Sequence, residues 1–580
     1  MTSSMSNEDQ EGRAPGAEAQ GEAAAARPED AAPGKAKGGK AQAGKARGDK
    51  PADAEPQGGG PKGPENGSEG GDTESPAASP ELPAFVRELA PLIQSQVAKA
   101  LKLKEGGQKL YPNGFRPEHS SGGIRSELGD KSREELEALG AERKIAGRIM
   151  SRRAHGKTVF FTLQDHEGRL QLYLRRDEVP PEAWDLAQSL DLGDIAGAAG
   201  TVFKTKTGEL TLHVKRIELV TKALWPLPEK FHDMDVEMRY RRRYVDLIMN
   251  PASMRVFRIR SQTVDWLRRF MSSRGFLEVE TPMMHPIPGG ANALPFVTRH
   301  NALKLDLYLR VAPELYLKRL LVAGMGRVFE LNRNFRNEGI SVKHNPEFTM
   351  MEFYQSFADY EDLMDLTEEM LSGLALEVLG TSELIYQGEK TSFAPPFRRI
   401  TWNEALTGIG GAPREALRSP EAAAAYVKTL DPEADAGPGL GLGTLQDLIF
   451  DLAVEKKLVL PTFVTRYPVA LSPLARRSES DPDFADRFEL YVCGREIANA
   501  FSELNDPLDQ YARFAEQAAR REAGDQEGMY LDRDYVRALM YGMPPAAGEG
   551  LGIDRLVMLL TDSASIRDVI LFPQMRPEAQ

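Results

Sequence analysis

The feature that most constrains this chain is residues 328–354, two alternating apolar–polar segments joined by a loop crowded with charge. Val328, Glu330 and Asn332 alternate with Phe329, Leu331 and Arg333, which predicts a strand, and a second alternation over 347–354 predicts the strand that returns beside it. A plain hairpin needs only one or two turn residues. This loop carries Arg336, Glu338, His344 and Asn345 on its lip, with Phe348 just behind. A guanidinium offers a planar fork to anionic oxygens, and an aromatic ring offers a face to a nucleobase. The set points to nucleotide binding, with a solvated loop as the alternative reading of the same residues.

The rest of the chain has to accommodate that hairpin. Its 580 residues leave room for several domains. A formal net charge of −13 argues against a surface wrapped in nucleic acid, while leaving room for a local RNA site. The one cysteine, Cys493, excludes an internal disulfide and a multi-cysteine zinc site, which fits a reducing cytoplasm. It sits in an apolar run and is expected to be a small buried residue. Without a signal peptide or an apolar run long enough for a bilayer, the expectation is a soluble cytoplasmic protein with no membrane partner. Residues 1–82 are rich in Ala, Gly, Pro, Glu and Lys, with no large apolar residue between Met5 and Leu82. Such a segment cannot bury enough surface to offset its ordering entropy, so a disordered extension is expected. Its basic block (Lys35, Lys37, Lys40, Lys45, Arg47, Lys50) is either a solubilising tail or a salt-sensitive grip on RNA phosphates. A helical lead-in is expected over 83–143, opening with a helix over 84–104 that carries Phe85, Leu89, Leu92 and Val97 on one face.

Between 144 and 222 the pattern changes to short strands, expected at 145–150, 159–163, 170–174, 195–203 and 210–219, with a helix near 182–190. Five strands with one helix between the third and fourth is the order of an OB-fold barrel. At its edge, Arg152, Arg153, Lys157, Phe160 and Gln171 combine cations, a ring and an amide, the groups that hold unpaired bases by stacking and hydrogen bonds. Ordinary surface charge accounts for the same residues. Residues 223–250 read as a connector, and the Arg239-Tyr240-Arg241-Arg242-Arg243-Tyr244 cluster is expected either as a solvated helix face or at tRNA phosphates.

The large C-terminal domain is expected over 251–580. Pro251 and Gly275 bracket a helix with Phe257, Val264, Leu267 and Met271 on one face, followed by a strand to Pro282. Gly289-Gly290 permits close backbone approach to a small ligand. Glu314 opens a helix, where a carboxylate can simply serve the helix end. Residues 400–455 read as a small helical insertion, with a surface helix over 421–430. Glu489 and Glu496 lie seven residues apart on adjacent strands or a bulged one, as salt-bridge partners or, beside an ATP site, as oxygen ligands for Mg2+.

Phe335-Arg336-Asn337-Glu338 resembles motif 2 of the class II aminoacyl-tRNA synthetases, and the run from His344 through Glu352 closely resembles the lysyl-tRNA synthetases of subclass IIb. Ala312-Pro313-Glu314-Leu315-Tyr316-Leu317-Lys318, Ser472-Pro473-Leu474-Ala475-Arg476-Arg477 and Asn499-Ala500-Phe501-Ser502-Glu503-Leu504-Asn505-Asp506 are similar to segments of that family. Gly550-Leu551-Gly552-Ile553-Asp554-Arg555 resembles motif 3, and the ending Ile570 to Pro577 also matches. The resemblance covers the chain from about Pro83 onward, in the bacterial form of the family with an added N-terminal extension. It implies an α+β multidomain protein: an OB-fold anticodon-binding barrel, then a class II catalytic domain on an antiparallel sheet flanked by helices. It places motif 1 at about 252–282, motif 2 at about 328–354 and motif 3 at about 548–560, with motif 1 forming a homodimer.

The implied activity joins L-lysine, ATP and tRNA(Lys), with Mg2+ as cofactor. Arg336 and Arg555 would be catalytic. ATP would be held by both, with Glu338, His344, Asn345 and Phe348, the adenine lying between Phe348 and Arg555. Lysine would meet Glu314 and the Gly290 carbonyl at its α-amino group, Asn499 at its carboxylate and Phe501 along its stem. Glu503, Tyr354 and Glu352 would receive its ε-ammonium. Glu489 and Glu496 would hold Mg2+, and Arg153, Phe160 and Gln171 the anticodon. Many bacterial members have glycine at Ala500, whose methyl is expected to tighten the amino-acid pocket. Other readings are an aspartate or asparagine enzyme, a paralogue that lysylates a protein or another acceptor, a non-catalytic tRNA-binding paralogue, and a lipid-lysylating fusion. The first would need cationic or amide groups where Glu503 and Tyr354 stand. The second typically lacks the barrel, the third would have lost ATP-site residues, and the last needs membrane spans.

Overall fold

The computed structural model describes residues 82–228, 234–437, 439–523 and 528–578. The expected disorder of the N-terminal extension and its basic block lie outside the described residues. The expected helix over 84–104 is two helices, Ala84–Arg87 and Pro91–Glu105, because Ala90 turns to extended backbone ahead of Pro91 (φ −56, ψ 145). The break also changes the buried face. Val86, Ile93, Val97 and Ala100 are covered, while Phe85 and Leu92 stand exposed.

Five strands, Glu142–His155, Thr158–Gln164, Arg169–Arg175, Ile195–Lys204 and Leu210–Thr221, close a barrel in the order first, second, third, fifth, fourth. The helix Pro181–Ser189 lies between the third and fourth strands in sequence. Alternation fixes the faces: Val159, Phe161 and Leu163 fill the barrel, so Phe160 and Thr162 point outward. The first strand runs beyond its expected span because Arg152 and Arg153 go on pairing with Phe161 and Phe160 after the apolar alternation ends. Lys222, almost fully buried, joins Asp191 and Asp194, and Lys99 of the lead-in reaches the same Asp191.

The connector carries the short helices Val236–Arg241 and Arg243–Met249. Its basic cluster is largely turned inward. Buried Arg243 pairs with Asp246 at 2.8 Å and donates to the carbonyls of Arg567 and Leu571. Tyr240 donates to Asp568, and Arg241 donates to Glu237 and to the Arg576 carbonyl. These groups fasten the connector to the C-terminal end of the chain, so Arg241 and Arg243 already have protein partners where tRNA phosphates were expected.

The large domain is built on eight strands in the order Arg398–Thr401, Thr462–Pro468, Phe484–Val492, Arg495–Ser502, Ala546–Gly552, Glu347–Ser356, Arg327–Phe335 and Leu277–Glu278. All neighbours are antiparallel except the two edge pairings. One face packs on the long helices Pro251–Ser273 and Tyr360–Leu379 through Phe329, Met351, Phe353, Ala500 and Leu551. The strand expected to reach Pro282 is only Leu277–Glu278. Helices Pro420–Leu430 and Leu442–Ala453 close a separate core around Trp402, which also takes in Tyr467 and Tyr491 from the sheet. The expected surface helix is therefore amphipathic, with Ala423 and Val427 fully buried. Cys493 is half-buried rather than buried, because it occupies the tight turn between Phe484–Val492 and Arg495–Ser502 with φ 50. Among the described residues, no helix is long and apolar enough to cross a membrane.

Candidate functional site

Strand alternation turns the other face of this sheet into a cleft. Met350, Glu352 and Tyr354, then Asn499 and Phe501, then Gly548, Gly550 and Gly552 project from three neighbouring strands to the side away from the core. One polar knot locks the long helix, the hairpin and the helix Ile553–Leu560 together. Asp554 accepts from Arg260 at 2.6 Å and from the Thr349 amide at 2.7 Å, and Arg260 also donates to the Thr349 hydroxyl. The glycines admit what the cleft needs. A Cβ on Gly548 would overlap the Tyr354 ring and the Glu503 carboxylate, and Gly290, at φ +92, packs against Glu314 and Ala312.

The cleft brings together Gly290, Glu314, Arg336, Glu338, His344, Asn345, Phe348, Glu352, Tyr354, Glu496, Asn499, Phe501 and Arg555. Glu489 and Glu503 stand outside this wall. At one end the guanidiniums of Arg336 and Arg555 stand beside Glu338 and Glu496. Arg336 lies over the Phe348 ring at 5.1 Å, and its Nε is buried without a hydrogen-bond partner, as is Asn345 Oδ1. Burial lowers the Arg336 guanidinium from its ordinary value, opposed by Glu338 and Glu496. His344 is also lowered, by burial first and then by Arg555. Arg336 takes the Phe348 face, and Arg555 donates to both the carbonyl and the carboxylate of Glu496, at 3.0 and 2.9 Å.

Glu489 lies on the strand beside that of Glu496 and is mostly covered. It is paired with Arg487 at 2.5 Å and accepts from the hydroxyls of Tyr467 and Tyr491. Burial raises the Glu489 carboxyl, with Arg487 opposing and Glu496 adding, whereas Arg555 and Arg336 bring Glu496 below its ordinary value despite burial. Asp447 and Asp451, exposed on the helix Leu442–Ala453, add negative charge beside Glu489 and Glu496. Among the described residues no three His, Cys, Asp or Glu side chains converge as a metal cage, so a divalent cation here would rest on one or two carboxylates plus phosphate oxygens and water.

At the other end the charges are mostly negative. Glu314, Glu352 and Glu503 are all buried. Tyr354 donates to Glu352 at 3.0 Å, and burial together with Glu314 raises the Glu352 carboxyl well above its usual range. Glu503 and Glu314 share the ammonium of Lys318. Ala500 does not touch this pocket. Alternation sends its methyl into the core on the opposite face, so the expected tightening does not occur there.

On the barrel, Phe160 and Arg153 are cross-strand partners, and Phe160 stacks obliquely on Tyr173 with centroids 5.0 Å apart. Gln171 accepts from Thr211 at 3.0 Å. Tyr173 also meets Phe203 and His213, giving an outward aromatic platform that sequence reasoning missed. Its signal was present: Gln171 and Tyr173 are two residues apart and so share a face. Arg487 was missed as well. It links Asn499 to Glu489, donating to Asn499 Oδ1 at 3.0 Å, and the Arg487-Phe488-Glu489 spacing already put both charges on one side of a strand. Arg260 gave no such signal, since its partners are brought to it by the fold, and Lys318 signalled only Glu314, one helical turn before it.

Comparison with known proteins matches residues 235–576 to the family described as tRNA synthetases class II (D, K and N), and residues 144–220 to the OB-fold nucleic acid binding domain. The chain is 53% identical over 489 residues to a lysine–tRNA ligase of Azoarcus sp. (strain BH72), covering 84% of this chain and 97% of that protein. It is 54% identical to the lysine–tRNA ligase of Chromohalobacter salexigens, over 82% of this chain and 94% of that protein. For the lysine–tRNA ligase of Yersinia enterocolitica the figures are 52%, 86% and 99%.

Proposed function

The chain belongs to the class II tRNA synthetases (D, K and N), and from that premise we propose how its cleft performs lysine–tRNA ligation. The protein is a lysine–tRNA ligase that uses ATP, L-lysine and tRNA(Lys). The lysine carboxylate attacks the α-phosphorus of ATP, pyrophosphate leaves, and a 3′-terminal ribose hydroxyl of the tRNA then takes the lysyl group from AMP. No side-chain nucleophile is required, so the protein's contribution is positioning and charge stabilisation.

The observation that carries the assignment of residues is the polarity of one continuous cleft, guanidinium groups at one end and buried carboxylates at the other. Arg336 bridges the α-phosphate and the attacking carboxylate, assisted by Asn499, which Arg487 orients. Arg555, Glu338, His344, Asn345 and Phe348 hold the nucleotide. Glu489 and Glu496 would hold Mg2+, which supplies positive charge to the phosphate oxygens. Glu314 and the Gly290 carbonyl take the α-ammonium, Phe501 lines the aliphatic stem, and Glu503 with Tyr354 and Glu352 takes the ε-ammonium. An aspartate or asparagine side chain would bring a carboxylate or an amide to the acidic end, where nothing rewards it.

The barrel, with Arg153, Phe160 and Gln171, reads the anticodon. The working division is a lead-in over 83–143, the barrel over 144–222, a connector over 223–250 and the catalytic domain over 251–580. Leu277, Met283, Met284 and Val297 are exposed around the motif 1 strand, an apolar surface that a homodimer would cover. The setting is the cytoplasm. The test of the pocket is Glu503→Gln and Glu314→Gln in lysine-dependent pyrophosphate exchange. Both should raise the lysine KM strongly with little change in the ATP KM, and wild-type lysine KM values in both would remove the assignment.

A further inference from the structure

Lys318 lies one helical turn after Glu314 on the helix Glu314–Val322, and its side chain is fully buried. Its Nζ donates to Glu314 Oε1 at 2.5 Å and forms an ion pair with Glu503, whose side chain is also fully buried. The Phe501 ring stands 5.1 Å from the same nitrogen, so a cation–π contact separates it from the cleft. The buried Tyr535 ring system closes the environment from the helix Arg533–Met540. An exposed Glu–Lys pair at this helical spacing contributes little. A buried one is different, because removing the cation strands its partners in a low-dielectric interior.

What sets this pair apart is which carboxylates it joins. Given the proposed assignment of Glu314 to the α-ammonium and Glu503 to the ε-ammonium, a single resident cation touches both ends of the substrate site. Glu352, the third buried carboxylate of this end, is bonded to Tyr354 and makes no ion pair with Lys318, so the bridge joins Glu314 and Glu503 alone. We propose that Lys318 is a specificity-determining positioning residue: its buried ammonium holds Glu314 and Glu503 at a fixed separation, so that the pocket selects a substrate by the spacing of its two ammonium groups. The substrate's ammonium groups add to the Lys318 contacts and do not replace them. Ornithine, one methylene shorter, cannot satisfy both carboxylates at that separation.

The test uses the full-length enzyme with Lys318→Met, which keeps the length and loses the charge. Pyrophosphate exchange is measured with lysine and with ornithine. The lysine KM should rise about 10²-fold while the ATP KM changes by less than about twofold, since truncating one partner of a buried charge pair is costly to the other. Preference for lysine over ornithine in kcat/KM should fall at least about tenfold, a change that general loss of structure would not produce. An unchanged lysine KM or an unchanged preference overturns the proposal. If Glu314→Gln and Glu503→Gln raise the lysine KM while Lys318→Met does not, this inference fails and the site assignment stands. If neither glutamate variant has an effect, the assignment itself fails. Should Lys318→Met not fold, a crystal structure of the wild-type enzyme with L-lysine decides. Lys318 Nζ within hydrogen-bond distance of both glutamates supports the proposal, and Lys318 displaced from either one overturns it.

Discussion

Arg336 has to meet an anionic phosphate and a carboxylate at once, and the fold leaves its Nε buried without a protein partner while its guanidinium rests on Phe348. Replacing a preorganised charge of this kind commonly costs about 10²–10³ in rate. Arg336→Ala and Arg555→Ala should each lower lysine-dependent pyrophosphate exchange by that order with unchanged circular dichroism, and near-normal exchange in both would contradict their roles. Glu549 shows a different consequence of burial. It lies on the core face of the strand Ala546–Gly552, where the Thr367 hydroxyl donates to it at 2.5 Å, and burial pushes its carboxyl up to about 8 from an ordinary 4.5. Between those values the unfolded chain has released a proton that the folded chain keeps, so stability falls as pH rises from about 4.5 to about 8 and levels off above. Glu549→Gln removes that slope. Its thermal midpoint should exceed that of the wild type by more at pH 8 than at pH 5, and an equal shift at both would show that Glu549 ionises normally.

Among the elements, the barrel gives the cleanest separation of function. Phe160 lies on its outer face, and stacking of a base on such a ring is worth about 1–3 kcal/mol. Phe160→Ala should weaken aminoacylation of tRNA(Lys) while leaving pyrophosphate exchange intact; equal losses in both assays would mean that the barrel is not a separate reader. The barrel was also the most legible part of the sequence, because period-two alternation carries both the strands and the faces they present. The two strands of the hairpin were legible for the same reason, and the fold then sets the register that opposes Asn334 to Phe348. The lead-in was not: apolar spacing continued through Pro91, and the helix does not. The connector misled in another way. A run of arginines announces charge but not its partners, and Arg243 finds the Leu571 and Arg567 carbonyls more than 300 residues away. Lys318 was hidden for a related reason, since Glu503 comes to it only when the strand Arg495–Ser502 is laid beside the helix Glu314–Val322.

At the scale of the whole molecule, a net acidic protein sets two guanidiniums, Arg336 and Arg555, at one end of its cleft and the buried carboxylates Glu314 and Glu352 at the other. Removing residues 1–80 should leave exchange unchanged, with at most a salt-dependent loss of tRNA affinity, because the groups that form the cleft all lie beyond residue 289. Reduced exchange at saturating substrates would show that the extension contributes to catalysis. A polar site built for one group can reject analogues that lack it by about 10⁴–10⁵. The most direct measurement is therefore ATP–pyrophosphate exchange by the full-length wild-type enzyme across a panel of amino acids that includes lysine, ornithine, aspartate and asparagine. Lysine should support exchange, with aspartate and asparagine at background and ornithine far below lysine. Exchange supported by aspartate or asparagine as well as by lysine would contradict the account.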